Sequence, residues 1–132
     1  MEILLILAAF AFAYLCLTSK SRAETRRRFD AAAEADRLMN QAHLNEAARR
    51  YDVAESQFLR ASGLAKEAKA AFLTSEALYG AARMRMHYSD GAQAARLLEQ
   101  ALALENQWYE PKPHFSGRMR ADLERARSLA SK

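Results

Sequence analysis

The sequence predicts an all-α protein: a single N-terminal transmembrane helix, then antiparallel helical hairpins closed by a C-terminal capping helix. Three observations predict it. Residues 3–17 form an apolar run of fifteen, ILLILAAFAFAYLCL. Beyond residue 30, apolar side chains recur at intervals of three and four and do not alternate, the spacing of one helical face. Of the 132 residues, 29 are alanine, four are glycine and two are proline, a balance that favours packed helices over sheet or disorder. The chain therefore divides into an anchor (1–19), a basic juxtamembrane collar (20–30) and one helical domain (31–132).

Thr18 and Ser19 extend the apolar run without a charge. Seventeen residues at about 1.5 Å each reach roughly 25 Å, just short of a hydrocarbon core of about 30 Å. Lys20 and Arg22 can snorkel outward and local thinning absorbs the mismatch. A cleaved signal fits less well: no basic residue precedes the run, and cleavage at Ala11-Phe12-Ala13 would leave a very short signal. Cys16 lacks a small residue before it, which a lipoprotein signal requires. Its burial in the run also argues against use as a nucleophile.

Lys20, Arg22, Arg26, Arg27 and Arg28, set against Glu24 and Asp30, give the collar a net charge of +3. The positive-inside rule then places the C-terminal domain in the cytoplasm, with a bacterial inner membrane as the expected host. The collar can also attract anionic headgroups. Residues 31–132 carry a net charge of only +2, so the overall +4 does not mark a nucleic-acid-binding surface.

The first domain helix is expected over 31–49, burying Ala35, Leu38, Ala42 and Ala48. No glycine or proline precedes Gly63, so this helix can continue unbroken from the membrane. A second helix over 51–61 buries Tyr51, Ala54, Phe58 and Ala61 and is expected to end near Gly63. A third over 66–88 buries Ala70, Leu73, Ala77, Leu78, Ala81 and Met84, with close helix packing as the reason for Gly80. Ser89-Asp90-Gly91 reads as a turn with a cap before a fourth helix over 92–105. Pro111 and Pro113 exclude a regular helix interior from 106–115. Ser116 is expected to cap a last helix through 130, with Met119, Leu123, Ala126 and Leu129 apolar.

Tyr51-x-x-Ala54-x-x-x-Phe58-x-x-Ala61-x-x-Leu64 resembles the second half of a tetratricopeptide repeat (TPR), and Ala94-x-x-x-Leu98-x-x-Ala101-Leu102-x-Leu104 resembles it again. Leu38 with Ala42, and Leu78 with Ala81 and Ala82, fall where the first helix of each repeat places its core residues. The resemblance covers about residues 35–106. Ala61 and Ala101 are 40 apart where a TPR has 34, which predicts an extended third helix. Asn106 replaces the family's usual proline, and Arg85 a common aromatic.

The resemblance implies a TPR-like domain that binds other proteins on the face formed by the first helix of each pair. Carried over, that face includes Asp36, Met39, His43, Glu46, Glu76, Tyr79, Arg83 and Met86. The competing reading has Tyr79 and Met86 packing only against neighbouring helices. The residues that clamp a C-terminal carboxylate in chaperone-binding TPRs are not at matching positions.

His43, His87 and His114 lie on separate elements without metal-ligand spacing, and no phosphate loop, serine elbow or dinucleotide fingerprint is present. The expectation is a non-enzyme without metal or cofactor. The segment 107–115 gathers Trp108, Tyr109, Phe115 and both prolines. It reads either as a docking loop through Trp108 and Tyr109 or, preferably, as a staple in which Trp108 and Phe115 tuck under the last helix.

The functional expectation is a membrane-anchored interaction module, an accessory, scaffold or assembly subunit whose partners are other proteins of a membrane complex and the lipid bilayer. Two alternatives stand beside it. One is a structural subunit packing through its span, with Ala8, Ala9, Ala11 and Ala13 permitting close contact. The other is an exported helical domain released by cleavage. A homo-oligomer is compatible with each, and no nucleic acid is expected.

Overall fold

A computed structural model describes residues 2–132. It contains five α-helices: α1 (Glu2–Ala47), α2 (Tyr51–Glu67), α3 (Ala71–His87), α4 (Gly91–Ala103) and α5 (Pro113–Ala130), with a 3-10 turn at Glu105–Gln107 before the last. Consecutive helices pack antiparallel along the chain. A lesser contact joins α1 to α3, and side-chain contacts join α3 to α5, so α1, α3 and α5 share one layer. The cores of α2 and α4 form the other.

Alanine sets the spacing between helices. Ala35, Ala42, Ala54, Ala61, Ala65, Ala77, Ala81, Ala82, Ala94, Ala101 and Ala126 have no exposed surface. Because their side chains end at Cβ, axes can approach at the short end of the usual 8–10 Å separation. Phe58, Met84, Leu98 and Met119 are the large side chains that fill the gaps between them. Gly80 marks one close approach: a Cβ there would lie 2.5 Å from the Phe58 ring, which accounts for glycine within α3; Gly91 marks another, where a Cβ would lie 2.3 Å from the Ala126 carbonyl oxygen of α5.

Three turns of one design link α1 to α4. Residues 48–50, 68–70 and 88–90 each place the middle residue in the left-handed region: Arg49 at φ 61°, Lys69 at 57° and Ser89 at 57°. In each, the middle amide donates to the carbonyl three residues back and the next amide to the carbonyl five back, as in Arg49 to Glu46 and Arg50 to Asn45. This is the Schellman pattern, here built without glycine. Helices therefore restart at Tyr51, Ala71 and Gly91, every twenty residues, and the hairpin repeat is 40.

That regularity corrects several sequence expectations. The second helix does not stop near Gly63 but runs to Glu67, because Ala65 is buried and Gly63 faces open space. The third helix starts at Ala71, not at 66, and is not extended; the additional residues lie in α2. Ala70 precedes α3 as its N-cap, and Ala48 is exposed in its turn. Ser116 is not a cap: α5 begins at Pro113, where the missing N–H costs nothing, and buried Ser116 donates its hydroxyl to Glu105 and to the Lys112 carbonyl.

The first helix is continuous over 46 residues, about 69 Å at the usual rise. Its N-terminal part contains an 18-residue window of mean hydropathy 2.1 in which nothing is buried. Burial begins at Ala31 and continues through Ala35, Leu38, Met39 and Ala42.

The two mid-helix glycines should respond oppositely to alanine. Gly63→Ala fills open space on a helix and should stabilise by about 1 kcal/mol, the propensity difference. Gly80→Ala gains the same propensity but collides with fully buried Phe58, and overpacking of about 1–3 kcal/mol should lower its stability. Urea titrations of the two variants measure both; a stabilised Gly80→Ala would contradict the packing described.

Candidate functional site

The shared layer of α1, α3 and α5 carries most of the unusual polar chemistry. Arg83 on α3 makes a paired contact with Glu46 on α1, Nε to Oε2 at 3.1 Å and the second nitrogen to Oε1 at 2.9 Å. Its guanidinium also lies 4.9 Å from the Tyr79 ring centre and 5.7 Å from that of Phe58. Tyr79 donates its hydroxyl to Asp122 on α5, and Asp122 accepts a further bond from Arg125 at 2.9 Å. One connected set thus ties three helices together through Glu46, Arg83, Tyr79 and Asp122.

The geometry redistributes the residues that the sequence places on a partner-binding face. Met39 and Tyr79 are 4% and 7% exposed, so their carbon surfaces belong to the core. The reason is that α1 touches both α2 and α3, while α3 has neighbours on nearly every side, which widens their buried arcs. Arg83 is committed to Glu46. Asp36 and His43 are exposed, and Glu76 and Met86 are half-buried. His43 meets Phe58 edge-on at 5.2 Å, with Nδ1 3.6 Å from Glu46.

Two carboxylates on this face titrate in opposite directions. Burial pushes the Glu46 carboxyl up, but the Arg83 hydrogen bond and charge outweigh it and hold it below its ordinary value. Burial lifts Glu76 above its ordinary value, with His43 and Lys112 only partly countering it. Tyr79 is pushed up to about 12, first by burial and then by its bond to Asp122.

The other aromatic segment folds inward. Trp108 is buried and donates its indole N–H to Ser75 Oγ at 2.9 Å, while Ser75 donates to the Ala101 carbonyl at 2.8 Å. Phe72 and Phe115 meet Trp108 edge-on at 5.2 and 5.8 Å, and Phe115 in turn meets Phe72 at 5.1 Å and Tyr79 at 5.6 Å. Trp108 is therefore packed beneath the cap, the arrangement that the staple reading expects, whereas Tyr109 is 100% exposed. A relay through a buried serine was not foreseen from the sequence, since Ser75 lies 33 residues from Trp108 without any local signal.

Collar residues Lys20, Arg22, Arg26 and Arg27 are exposed, and Arg28 pairs with Glu24. His87 stacks on Tyr51 with ring centres 4.0 Å apart. Among the described residues, no group of three or more His, Cys, Asp or Glu side chains could hold a metal. No family model, curated protein or solved structure matches the chain significantly.

The acid limb of the stability curve should reflect the two carboxylates. Glu46 has a lowered folded pKa, so its contribution is present above the unfolded value of 4.5 and is lost as pH falls through the folded one. Glu76 has a raised folded pKa, so stability declines as pH rises from 4.5 through the folded value. Glu76→Gln should therefore raise the melting temperature at pH 7 with no gain at pH 3, whereas Glu46→Gln should lower it at pH 7. Thermal melts at both pH values give the signs directly.

Proposed function

We propose that this protein is a membrane-anchored, TPR-like interaction module that holds a partner protein beside the bilayer, as an accessory or assembly subunit of a membrane complex. The observation that carries the reading is the dual character of α1. One unbroken helix offers a bare apolar segment long enough to cross a bilayer and then becomes the first core helix of the array. Such a helix fixes the height and direction of the array, which raises the effective concentration of its face toward neighbours in the same membrane.

Paired helices with alanine at the close contacts support the TPR-like description. The 40-residue hairpin departs from the 34 of that family. The partner face is what the α1–α3–α5 layer leaves accessible: exposed Asp36 and His43 with half-buried Glu76 and Met86, framed by the Arg83–Glu46 pair. The basic collar supports a cytoplasmic position for the array.

Signal cleavage near Ala13 is the specific rival for the apolar segment. Intact mass of membrane-extracted protein separates them: the full mass of the 132-residue chain supports an anchor, and a chain starting near Tyr14 overturns it.

The partner face is tested by capture in mild detergent with the full-length chain as bait. Asp36→Arg alters an exposed residue and should cut recovery of a stoichiometric partner at least several-fold without changing the melt. Replacing residues 3–17 by an unrelated apolar span should leave recovery intact. Recovery that survives Asp36→Arg but fails on the span exchange would move the interaction to the membrane helix.

A further inference from the structure

The array leaves one side of α1 bare. At about 3.6 residues per turn, the side opposite buried Ala31, Ala35, Leu38, Met39 and Ala42 carries Phe29, Ala33, Asn40, Leu44 and Ala47. All five are exposed, Phe29 by 73% and Leu44 by 72%. The same line continues down the apolar segment through Leu4, Ala8, Ala11 and Leu15. Arg22 and Arg26 interrupt it near the level of the headgroups, where lipid phosphates can pair them and long side chains splay outward.

Lipid does not reach the upper part of this side. With the apolar run ending at Ser19, Phe29 lies about 15 Å and Leu44 about 37 Å above the hydrocarbon edge on an upright helix. The headgroup layer spans only about 5–8 Å. A head-to-tail neighbour does not fit either. The outward side of α5, opposite Ser116, Met119, Leu123 and Ala126, exposes His114, Gly117, Arg118, Ala121, Arg125 and Ser128, with no large apolar side chain. That is the polar outer face that closes a helical array, whereas α1 leaves its end open.

The pattern on α1 is complementary to itself. Asp36 borders the bare side on one flank and Arg37 on the other. A two-fold axis parallel to α1 sets the Asp36 flank of each copy against the Arg37 flank of the other, making two opposite-charge contacts. Arg37 pairs with Glu34 yet stays exposed, and among the described residues Asp36 has no ion-pair partner. Asn40 lies in the middle of the stripe, and its amide can both donate to and accept from its own copy. A single such amide fixes register in a parallel helix pair.

We infer that this side of α1 is the contact surface for a second copy of the chain: two chains pair in parallel through Phe29, Ala33, Asn40, Leu44 and Ala47. The parallel arrangement rests on the anchor reading. Two spans inserted with one topology bring their α1 helices up side by side, and confinement to the membrane raises their effective concentration. Asp36 stands at the border of this surface and the partner face, whereas Phe29, Ala33 and Leu44 belong to the pairing alone.

The test is oxidative cross-linking of the full-length chain in phosphatidylcholine liposomes, with single cysteines in a Cys16→Ser background. Ala33→Cys should form disulfide-linked dimers at least about five-fold faster than Asp52→Cys on α2, the excess that a held pair has over random collision. Nanodiscs loaded with one chain each, where no copy is present, give the background. Phe29→Glu with Leu44→Glu should bring Ala33→Cys down to that background with the melt unchanged, since both side chains are exposed. Arg37→Glu should slow linking, and adding Asp36→Lys should restore it. A link that persists in the double glutamate variant places the contact in the span, and a link between Ala33→Cys and Ala121→Cys chains shows head-to-tail stacking; either overturns the surface. Flotation of the same liposomes reports the anchor. If the chain floats and Ala33→Cys links no faster than Asp52→Cys, the pairing is wrong and the anchor stands. If the chain does not float, the anchor reading falls and the parallel pairing with it.

Discussion

Everything in this molecule hangs on the continuity of one helix. Residues 2–47 contain an exposed apolar segment, a charged collar and a core-forming stretch, and no proline, glycine or turn interrupts them. The hydrogen-bond ladder passes from the apolar segment into the core-forming stretch without a break. An exposed run of this hydropathy is tolerable in water only if something covers it, since contiguous apolar patches of this extent mark interaction sites or membrane contact. The domain, conversely, needs Ala31 to Ala42 from the same helix to complete its core.

From that constraint the remaining helices follow as a repeated solution to one packing problem. The first three helices end in the same left-handed turn, which spaces the starts of α2, α3 and α4 twenty residues apart, and alanines face the neighbours throughout; α4 ends instead in a 3-10 turn. Large side chains are few and sharply placed. Trp108 donates to Ser75 and Ser75 to the Ala101 carbonyl, so the cap is bound by direction as well as by burial. The Glu46–Arg83 pair joins α1 to α3 in the same manner.

Much of this was legible in the sequence where the signal is local. The apolar run, the collar and the helical period are properties of neighbours within a turn or two, whereas the partner that explains Gly80, Phe58, lies on another helix. The turn at 68–70 was not legible, because a Schellman turn with lysine in the left-handed position has no breaker residue, while Gly63 supplied a false one. The burial of Met39 and Tyr79 depends on helices distant in the chain, and a single helical wheel underestimates an arc that two or three neighbours share. The role of Ser116 was misplaced for a related reason: Pro113 starts the helix a turn earlier than the serine alone implies. For the residues that the repeat resemblance places on one face, only packing shows which of them remain exposed.

The most direct measurement of the continuous helix is the distance between spin labels on Cys16 and on Asn40→Cys, in the full chain in nanodiscs. An unbroken α1 predicts a single narrow distribution at about 36 Å, from 24 residues of helical rise. A broad or markedly shorter distribution would place a hinge in the collar, and the apolar segment would then not fix the position of the array.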